Sequence, residues 1–281
     1  MFLAASSVLN IILDLWFVIG LEMGVAGAAQ ATVIAQYLSG LGIMIYTFVY
    51  YKQVNAILKI SCLKKERISK IISFSMLTCI QQSVMNLGIL MVQGLVNSFG
   101  TVVMAAFAAA VKIDAFAYMP VQDFGNAFST FIAQNYGAGK VDRIKKGLNV
   151  SIGVTAVYSI VIMVVAFFWL PSFVKIFVAD PTGELRAIAE QMFHISLWFY
   201  FPLGLIFLYR NTLQGIGNGL VPMLGGVFEL LARGLAVFLL FEPLQFTGIC
   251  ICDPAAWVSA LIPLIPYYYW YVRKMTSGAK K

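Results

Sequence analysis

Charged side chains are scarce in this 281-residue chain: Asp, Glu, Lys and Arg together make up 11% of it. A water-soluble domain carries about 25% charged residues, so this sequence has too little charge to cover a surface that faces water. Hydrophobic residues reach 61% and form apolar runs along the whole length. This distribution predicts a polytopic membrane protein rather than a globular domain with a single anchor.

Signatures of enzyme and metal chemistry are also missing. Cys62, Cys79, Cys250 and Cys252 have neither metal-ligand nor disulfide-framework spacing. His194 is the single histidine, and we interpret it as a hydrogen-bonded core residue, with a proton relay as the alternative. No nucleophile–base pair or hydrolytic carboxylate pair occurs in the sequence. We therefore predict a protein that is not an enzyme, with no catalytic residues, no metal site and no cofactor.

Eight apolar segments offer the roughly 20 residues that a membrane-spanning helix needs: 3–20, 26–50, 70–97, 101–135, 147–170, 187–213, 220–241 and 248–272. The predicted fold is thus an all-α polytopic membrane protein with about eight transmembrane helices. The fourth segment would extend ~50 Å at about 1.5 Å per residue, well beyond a hydrocarbon core of about 30 Å. Since Pro120 and Gly125 lie near its middle, we interpret it as one long bent or tilted helix, with two short spans as the alternative.

The distribution of basic residues tests this division into spans. If the 51–69 stretch is cytoplasmic, alternation places fifteen of the nineteen Lys and Arg residues on that side, Arg210 among them. Only Lys175 and Arg186 fall on the other side. The asymmetry follows the positive-inside rule and puts the C-terminus in the cytoplasm. It also accounts for the net charge of +7 without a nucleic-acid partner.

Polar residues in the third segment form a stripe, although polar groups are costly inside a bilayer and tend to face a bundle interior or a cavity. Five of them fall within a narrow angular range at about 100° per residue: Ser75, Gln82, Asn86, Gln93 and Asn97. The stripe either joins helices by hydrogen bonds or forms the wall of a water-accessible cavity. The sequence favours neither interpretation over the other.

The fourth segment carries a second polar set. One stripe holds Lys112, Asp123, Asn126, Thr130 and Gln134, and a different face holds Asp114, Tyr118, Gln122 and Ser129. An intramembrane carboxylate can carry a proton or bind a cation, and otherwise it forms a structural ion pair. Asp114 is our first candidate for a transport role, ahead of Lys112 and Asp123.

The seventh segment contains Glu229 and Arg233 one helical turn apart. We expect an intrahelical ion pair, since pairing lowers the cost of placing each charge in the membrane. The glycine-rich run just before this segment, beginning at Gly215, lacks the strand and the lysine of a phosphate-binding loop. It is predicted to be a tight turn.

The run QNYGAGK contains Gln134, Asn135, Gly137 and Gly139, and Arg143 follows it. Here an apolar helix ends at two glycines and a basic cluster begins. The run resembles the end of the second helix of a lobe in the multidrug and toxin extrusion (MATE) transporters.

Two further runs resemble the same family. RNTLQGIGN contains Arg210 and Gly215 and is followed by Glu229 and Arg233, which is similar to the junction between family helices ten and eleven. The stretch 10–32 resembles the fifth helix and the turn after it. The resemblance implies that the chain covers family helices five to twelve.

The resemblance also implies a domain organisation. Residues 1–50 would be a partial N-lobe, 51–69 a basic cytoplasmic linker, 70–273 a complete six-helix C-lobe and 274–281 a cytoplasmic tail. Four N-lobe helices would then be missing upstream, and we expect the chain by itself not to transport.

MATE proteins export cationic amphipathic compounds in exchange for Na⁺ or H⁺ by alternating access of two lobes. The resemblance therefore implies a multi-pass efflux antiporter of a bacterial cell membrane, whose partners are small organic cations and the lipid bilayer. Gln81 and Gln82 stand where some members have an acidic residue, which puts a Na⁺ site of that kind in doubt.

Two alternatives remain at this point. One is a lipid-linked saccharide flippase of the same superfamily, which the absence of a strongly cationic set of residues disfavours. The other is a non-transporting remnant, or a half-transporter subunit that pairs with a separate N-lobe.

Overall fold

The computed structural model describes residues 2–51, 64–177 and 183–278. Across these residues the chain is helical and contains no strand, as the predicted all-α fold requires. The chain divides into two compact units, Met1–Ser69 and Lys70–Lys281. Most of the predicted basic linker lies outside the described residues, as does the end of the predicted tail.

The smaller unit is a helical hairpin. Helix α1 (Phe2–Asp14) continues into a π-helical segment (Leu15–Gly20), and α2 is Gly24–Tyr50. The Ser6 hydroxyl donates a hydrogen bond to the Ala35 carbonyl at 2.9 Å. The buried side chains of α2 are all small, namely Gly27, Ala31, Ala35 and Ser39. Small residues let membrane helices approach closely, which explains why this face of α2 packs against α1.

The remaining helices are α3 (Lys65–Val96), α4 (Thr101–Gly137), α5 (Val141–Phe177), α6 (Gly183–Leu197), α7 (Tyr200–Gly215), α8 (Leu220–Leu244) and α9 (Phe246–Gly278). Among the described residues, six helices are long and apolar enough to cross a membrane, and the bent pair α6–α7 makes a seventh. Ala4–Gly20 is a shorter apolar helix. Together these correspond to the roughly eight spans that the sequence predicts.

The structure tests the continuity of two of the predicted spans. The fourth is one continuous helix of 37 residues with Pro120 inside it, so the prediction of a single long helix is confirmed. The sixth, predicted as one span over 187–213, is instead two helices bent by 54°. Pro202 lies in the first turn of α7, where its missing N–H is tolerated, whereas continuing the helix backward would bring its ring against the Trp198 carbonyl.

Helix α7 is the centre of the larger unit. Eleven of its 16 residues are buried, including the polar run Arg210, Asn211 and Thr212. A helix that is buried on all sides lies in the middle of a bundle. Outer helices instead expose large apolar side chains, such as Phe238 at 80% and Phe167 at 67%. Such an apolar exterior suits lipid rather than water.

The α4–α5 turn explains the QNYGAGK run. Helix α4 ends at Gly137, and Gly139 follows in the left-handed conformation with φ of 68°. The Lys140 N–H then donates to the Asn135 carbonyl at 2.9 Å. This is a glycine C-cap, which satisfies carbonyls left open at the helix end. Gly139 is needed there because a side chain is strained at positive φ.

Gly215 is needed for a different reason, the close approach of α4 and α7. A Cβ atom on Gly215 would lie 2.7 Å from the Ser129 backbone oxygen and 3.1 Å from Ile132 Cβ. Gly125 on α4 is similarly placed, with its Cβ position 3.1 Å from Phe207 Cβ. Gly125 and Gly215 therefore allow the central helix α7 to pack closely against α4.

We expect Gly215→Ala to destabilise the protein by about 1–3 kcal/mol, because the added methyl overlaps backbone that cannot rotate away. Gly94→Ala is the matched control: it lies within α3, and a Cβ there meets nothing within 4 Å. That control should be neutral or slightly stabilising, since Ala favours helix. Thermal unfolding in detergent measures both variants, and equal midpoints would contradict the close approach.

Candidate functional site

A cavity of about 500 Å³ lies inside the larger unit, lined by residues of α3, α4, α6, α7, α8 and α9. Its size falls within the roughly 300–1,000 Å³ of small-molecule sites. Apolar and aromatic side chains form much of the wall, including Phe107, Phe207 and Trp257. The polar stripe of α3 forms part of the rest through Gln82, Asn86 and Gln93.

Five of the seven candidate cavity residues line this cavity: Gln82, Asn86, Gln93, Lys112 and Asp114. The other two, Asp123 and Asn126, are exposed and lie outside its lining. Asp123 comes nine residues after Asp114, which at about 100° per residue places it on the opposite side of α4.

Asp114 is held by a neutral donor. Its Oδ1 accepts a hydrogen bond from the Tyr200 hydroxyl, which joins α4 to the start of α7. In the part of the chain that the structure describes, no ion pair involves Asp114. The alternative interpretation of Asp114, a structural ion pair, is therefore not observed among these residues.

Four other charged residues form a network across three helices, and all of them except Asp253 are buried. Arg210 on α7 donates to Glu229 Oε1 on α8, and Arg233 Nε donates to Asp253 Oδ1 on α9 at 2.8 Å. Arg233 Nη1 also lies 3.6 Å from Glu229 Oε2, which is the intrahelical pair expected from the sequence. The intrahelical pair is therefore present, but the two hydrogen bonds of the network join different helices. Glu229, Arg233 and Arg210 are 2%, 3% and 6% exposed.

The network corrects one expectation and adds two residues. Arg210 does not belong with the basic residues of the cytoplasmic side, because it lies within α7, more than a turn before the helix ends, and is buried against Glu229. Asp253 and Tyr200 were not among the sequence-based candidates. The signal that could have identified Asp253 is that it is a lone carboxylate in an otherwise apolar last span.

The remaining candidates lie away from the cavity. Gln81, next to the cavity residue Gln82, is buried and accepts a hydrogen bond from Gln214 Nε2 at 3.2 Å. His194 is exposed on α6 rather than in the core, and it does not line the cavity. Glu190 instead pairs with Arg186 at 2.7 Å.

The turn between α7 and α8 confirms the prediction from the glycine-rich run. Gly217 has φ of 87°, and the Asn218 N–H donates to the Leu213 carbonyl at 2.9 Å. The Asn218 side chain then accepts from the Leu220 and Val221 N–H groups at 3.1 and 3.2 Å. The turn thus caps the end of α7 and the start of α8.

The family model MatE matches residues 75–239, more than half of the chain. The chain belongs to the MatE family. Among its curated relatives, "Probable multidrug resistance protein YoeA" of Bacillus subtilis (strain 168) is 26% identical over 285 residues. "Multidrug export protein MepA" of Staphylococcus aureus (strain MSSA476) is 24% identical over 217 residues.

These matches cover the chain more fully than they cover the relatives. The alignment with YoeA takes in 97% of this chain and 60% of YoeA, and that with MepA takes in 76% and 47%. The MatE chain described here therefore spans about three fifths of the length of the first of these relatives.

Solved MATE structures share the fold. The outward-facing conformation of a multidrug resistance MATE family transporter of the MOP superfamily superposes with a TM-score of 0.86 at 19% identity. It matches over 97% of this chain and 61% of its own. A MOP superfamily transporter from Pyrococcus furiosus gives 0.82 at 18% identity, over 98% and 62%. The protein is accordingly a multi-pass membrane protein of the MATE transporter fold.

We expect Glu229→Gln to destabilise the protein by about 3–5 kcal/mol, because it leaves Arg210 buried without its counter-charge. Glu190→Gln is the matched control: it removes the partner of the more exposed Arg186, a pair worth about 0–1 kcal/mol. Unfolding in detergent should separate the two variants clearly. A Glu229→Gln protein as stable as Glu190→Gln would contradict the buried network.

Proposed function

We propose that this MATE chain supplies a complete C-lobe and part of the N-lobe of a secondary active multidrug efflux antiporter. The transporter exports cationic amphipathic compounds in exchange for H⁺ or Na⁺ by alternating access of its two lobes. The names of its relatives, which are multidrug resistance and export proteins, support the general class.

The observation that carries the proposal is the state of the three carboxylates at the cavity. Glu229 and Asp253 are each engaged by an arginine, whereas Asp114 is held by the neutral Tyr200 hydroxyl and has no ion-pair partner among the described residues. Asp114 is therefore the carboxylate that an incoming cation can neutralise. Phe207 and Trp257 provide apolar and π surfaces for the rest of an amphipathic molecule.

Competition at one carboxylate supplies the coupling. If either an organic cation or the coupling ion neutralises Asp114, each disfavours the other, and this thermodynamic coupling is reciprocal. The coupling ion therefore promotes release of the drug on the side where that ion is abundant. The Tyr200 hydroxyl orients the Asp114 carboxylate through its hydrogen bond.

The balance of charge at the cavity favours drugs over lipid-linked saccharides. Its three cations, Lys112, Arg210 and Arg233, are matched by Asp114, Glu229 and Asp253. A pyrophosphate-bearing substrate requires an excess of positive charge, and both arginines here are already paired.

Ethidium accumulation in cells that lack their own pumps tests the transport proposal, with the full-length gene product expressed. Expression should lower accumulation, and Asp114→Asn should abolish most of that effect, because the amide cannot neutralise a cation. Asp123→Asn is the same substitution on the opposite side of α4, and we expect it to retain export.

Membrane levels of each variant, measured by immunoblot, control for expression. Equal accumulation with and without the protein would contradict drug efflux. Loss of export in Asp123→Asn, with full export in Asp114→Asn, would show that the coupling residue lies outside the cavity. Proteoliposomes with an imposed pH gradient or Na⁺ gradient then distinguish the two coupling ions.

A further inference from the structure

A second cavity, of about 460 Å³, lies between one end of α5 and the end of α9. Lys145 and Asn149 line it from α5, while Tyr268, Arg273 and Thr276 line it from α9. Among the described residues, it shares no lining residue with the cavity that contains Asp114, and no Asp or Glu contributes to its wall. It is a separate basic site that efflux does not explain.

The Lys145 ammonium group is held in position across this cavity. Its Nζ donates to Thr276 Oγ1 at 2.8 Å, and the Thr276 hydroxyl donates in turn to the Val272 carbonyl at 2.9 Å. An ammonium group has three donors, so two remain for another acceptor. The hydrogen bond to Thr276 therefore holds the Lys145 ammonium group in position and leaves its other two donors available.

Arg273 adds a second positive charge at the same opening. Neither Arg273 nor Lys145 takes part in an ion pair among the residues that the structure describes. Arg273 is exposed and has a planar set of donors that matches the oxygens of a phosphate group. Two cations that lack an ion-pair partner among the described residues line the same cavity as the Thr276 hydroxyl, and together they form a site for a phosphate anion.

The surroundings indicate that the phosphate belongs to a lipid. Tyr269, which also lines the cavity, is 49% exposed, and Trp270 beside it is 54% exposed. Amphipathic rings of this kind lie at the headgroup level of a bilayer. Lys274, with Nζ 5.3 Å from the Trp270 ring centroid, extends the basic surface.

An apolar track leads away from the cavity along α9. Ile262 and Val258 precede Tyr269 by seven and eleven residues, so all three share one helix face. Ile262 is 60% exposed and Val258 is 45% exposed. A ligand with a charged group at Lys145 and Arg273 and a hydrocarbon chain along Ile262 would cover both surfaces.

We propose that the cavity between α5 and α9 binds the phosphate group of an anionic membrane lipid, with Lys145 and Arg273 as its charged ligands and the acyl chain along the exposed face of α9. Basic pockets between transmembrane helices bind such headgroups. The proposal does not depend on the proposed transport function.

The binding of dioleoylphosphatidylglycerol to the full-length protein, measured by native mass spectrometry and by the rise in the thermal unfolding midpoint, tests this site. Dioleoylphosphatidylcholine and inorganic phosphate are the comparison probes. We expect the anionic lipid to bind and stabilise the protein more than the zwitterionic one. The double variant Lys145→Gln/Arg273→Gln should bind phosphatidylglycerol roughly 30-fold more weakly, given the contribution of each basic residue near an anionic surface.

The matched control is Lys140→Gln/Lys146→Gln, which removes the same charge at positions close to Lys145 in the sequence that do not line the cavity. It should retain phosphatidylglycerol binding, and so should the charge-conserving double variant Lys145→Arg/Arg273→Lys. Midpoints without lipid show whether each variant is folded.

Three results would overturn the proposal. The first is equal stabilisation by phosphatidylglycerol and phosphatidylcholine, and the second is equal loss of binding in the two glutamine double variants. The third is that inorganic phosphate prevents phosphatidylglycerol from stabilising the protein, because the ligand of the site would then be free phosphate.

Discussion

Glu229 is the residue on which the larger unit most depends. Its carboxylate is 2% exposed and meets arginines from α7 and from its own helix, and the second arginine reaches Asp253 on α9. Three charges of this network are buried, which is costly unless each is paired, so the three helices have to be held in one relative position. Gly88 on α3 allows that position, because a Cβ there would lie 3.1 Å from the Arg233 side chain.

The same network determines the character of the neighbouring cavity. Because the arginines occupy Glu229 and Asp253, they leave Asp114 as the carboxylate with a neutral partner. Tyr200 reaches Asp114 because α4 and α7 approach each other at glycines and because the bend before Tyr200 starts a new helix there. A structural ion network and a candidate cation site thus coexist at one cavity without competing for partners.

Periodicity predicted much of this arrangement. The stripe of amides on α3 indicated either helix contacts or a cavity wall, and Gln82, Asn86 and Gln93 do line the cavity. The failures have physical causes. Angular phase along the 37-residue α4 grouped Lys112 with Asp123, yet only Lys112 lines the cavity. Helix phase says which residues share a face, but not which neighbouring helices enclose each stretch of that face. Arg210 resembled a loop residue because position along the chain says nothing about a partner on α8.

The amino-acid sequence by itself determined most of the membrane spans, the single long α4, the glycine-capped end of that helix and the likeness to MATE transporters. These properties depend on local hydrophobicity, helix period and backbone conformation. Tertiary structure alone decided that Glu229 pairs with Arg210, that Asp253 completes the network and that Tyr200 holds Asp114. Helix period specifies which residues share a face, but which helix lies opposite that face depends on packing across the whole bundle.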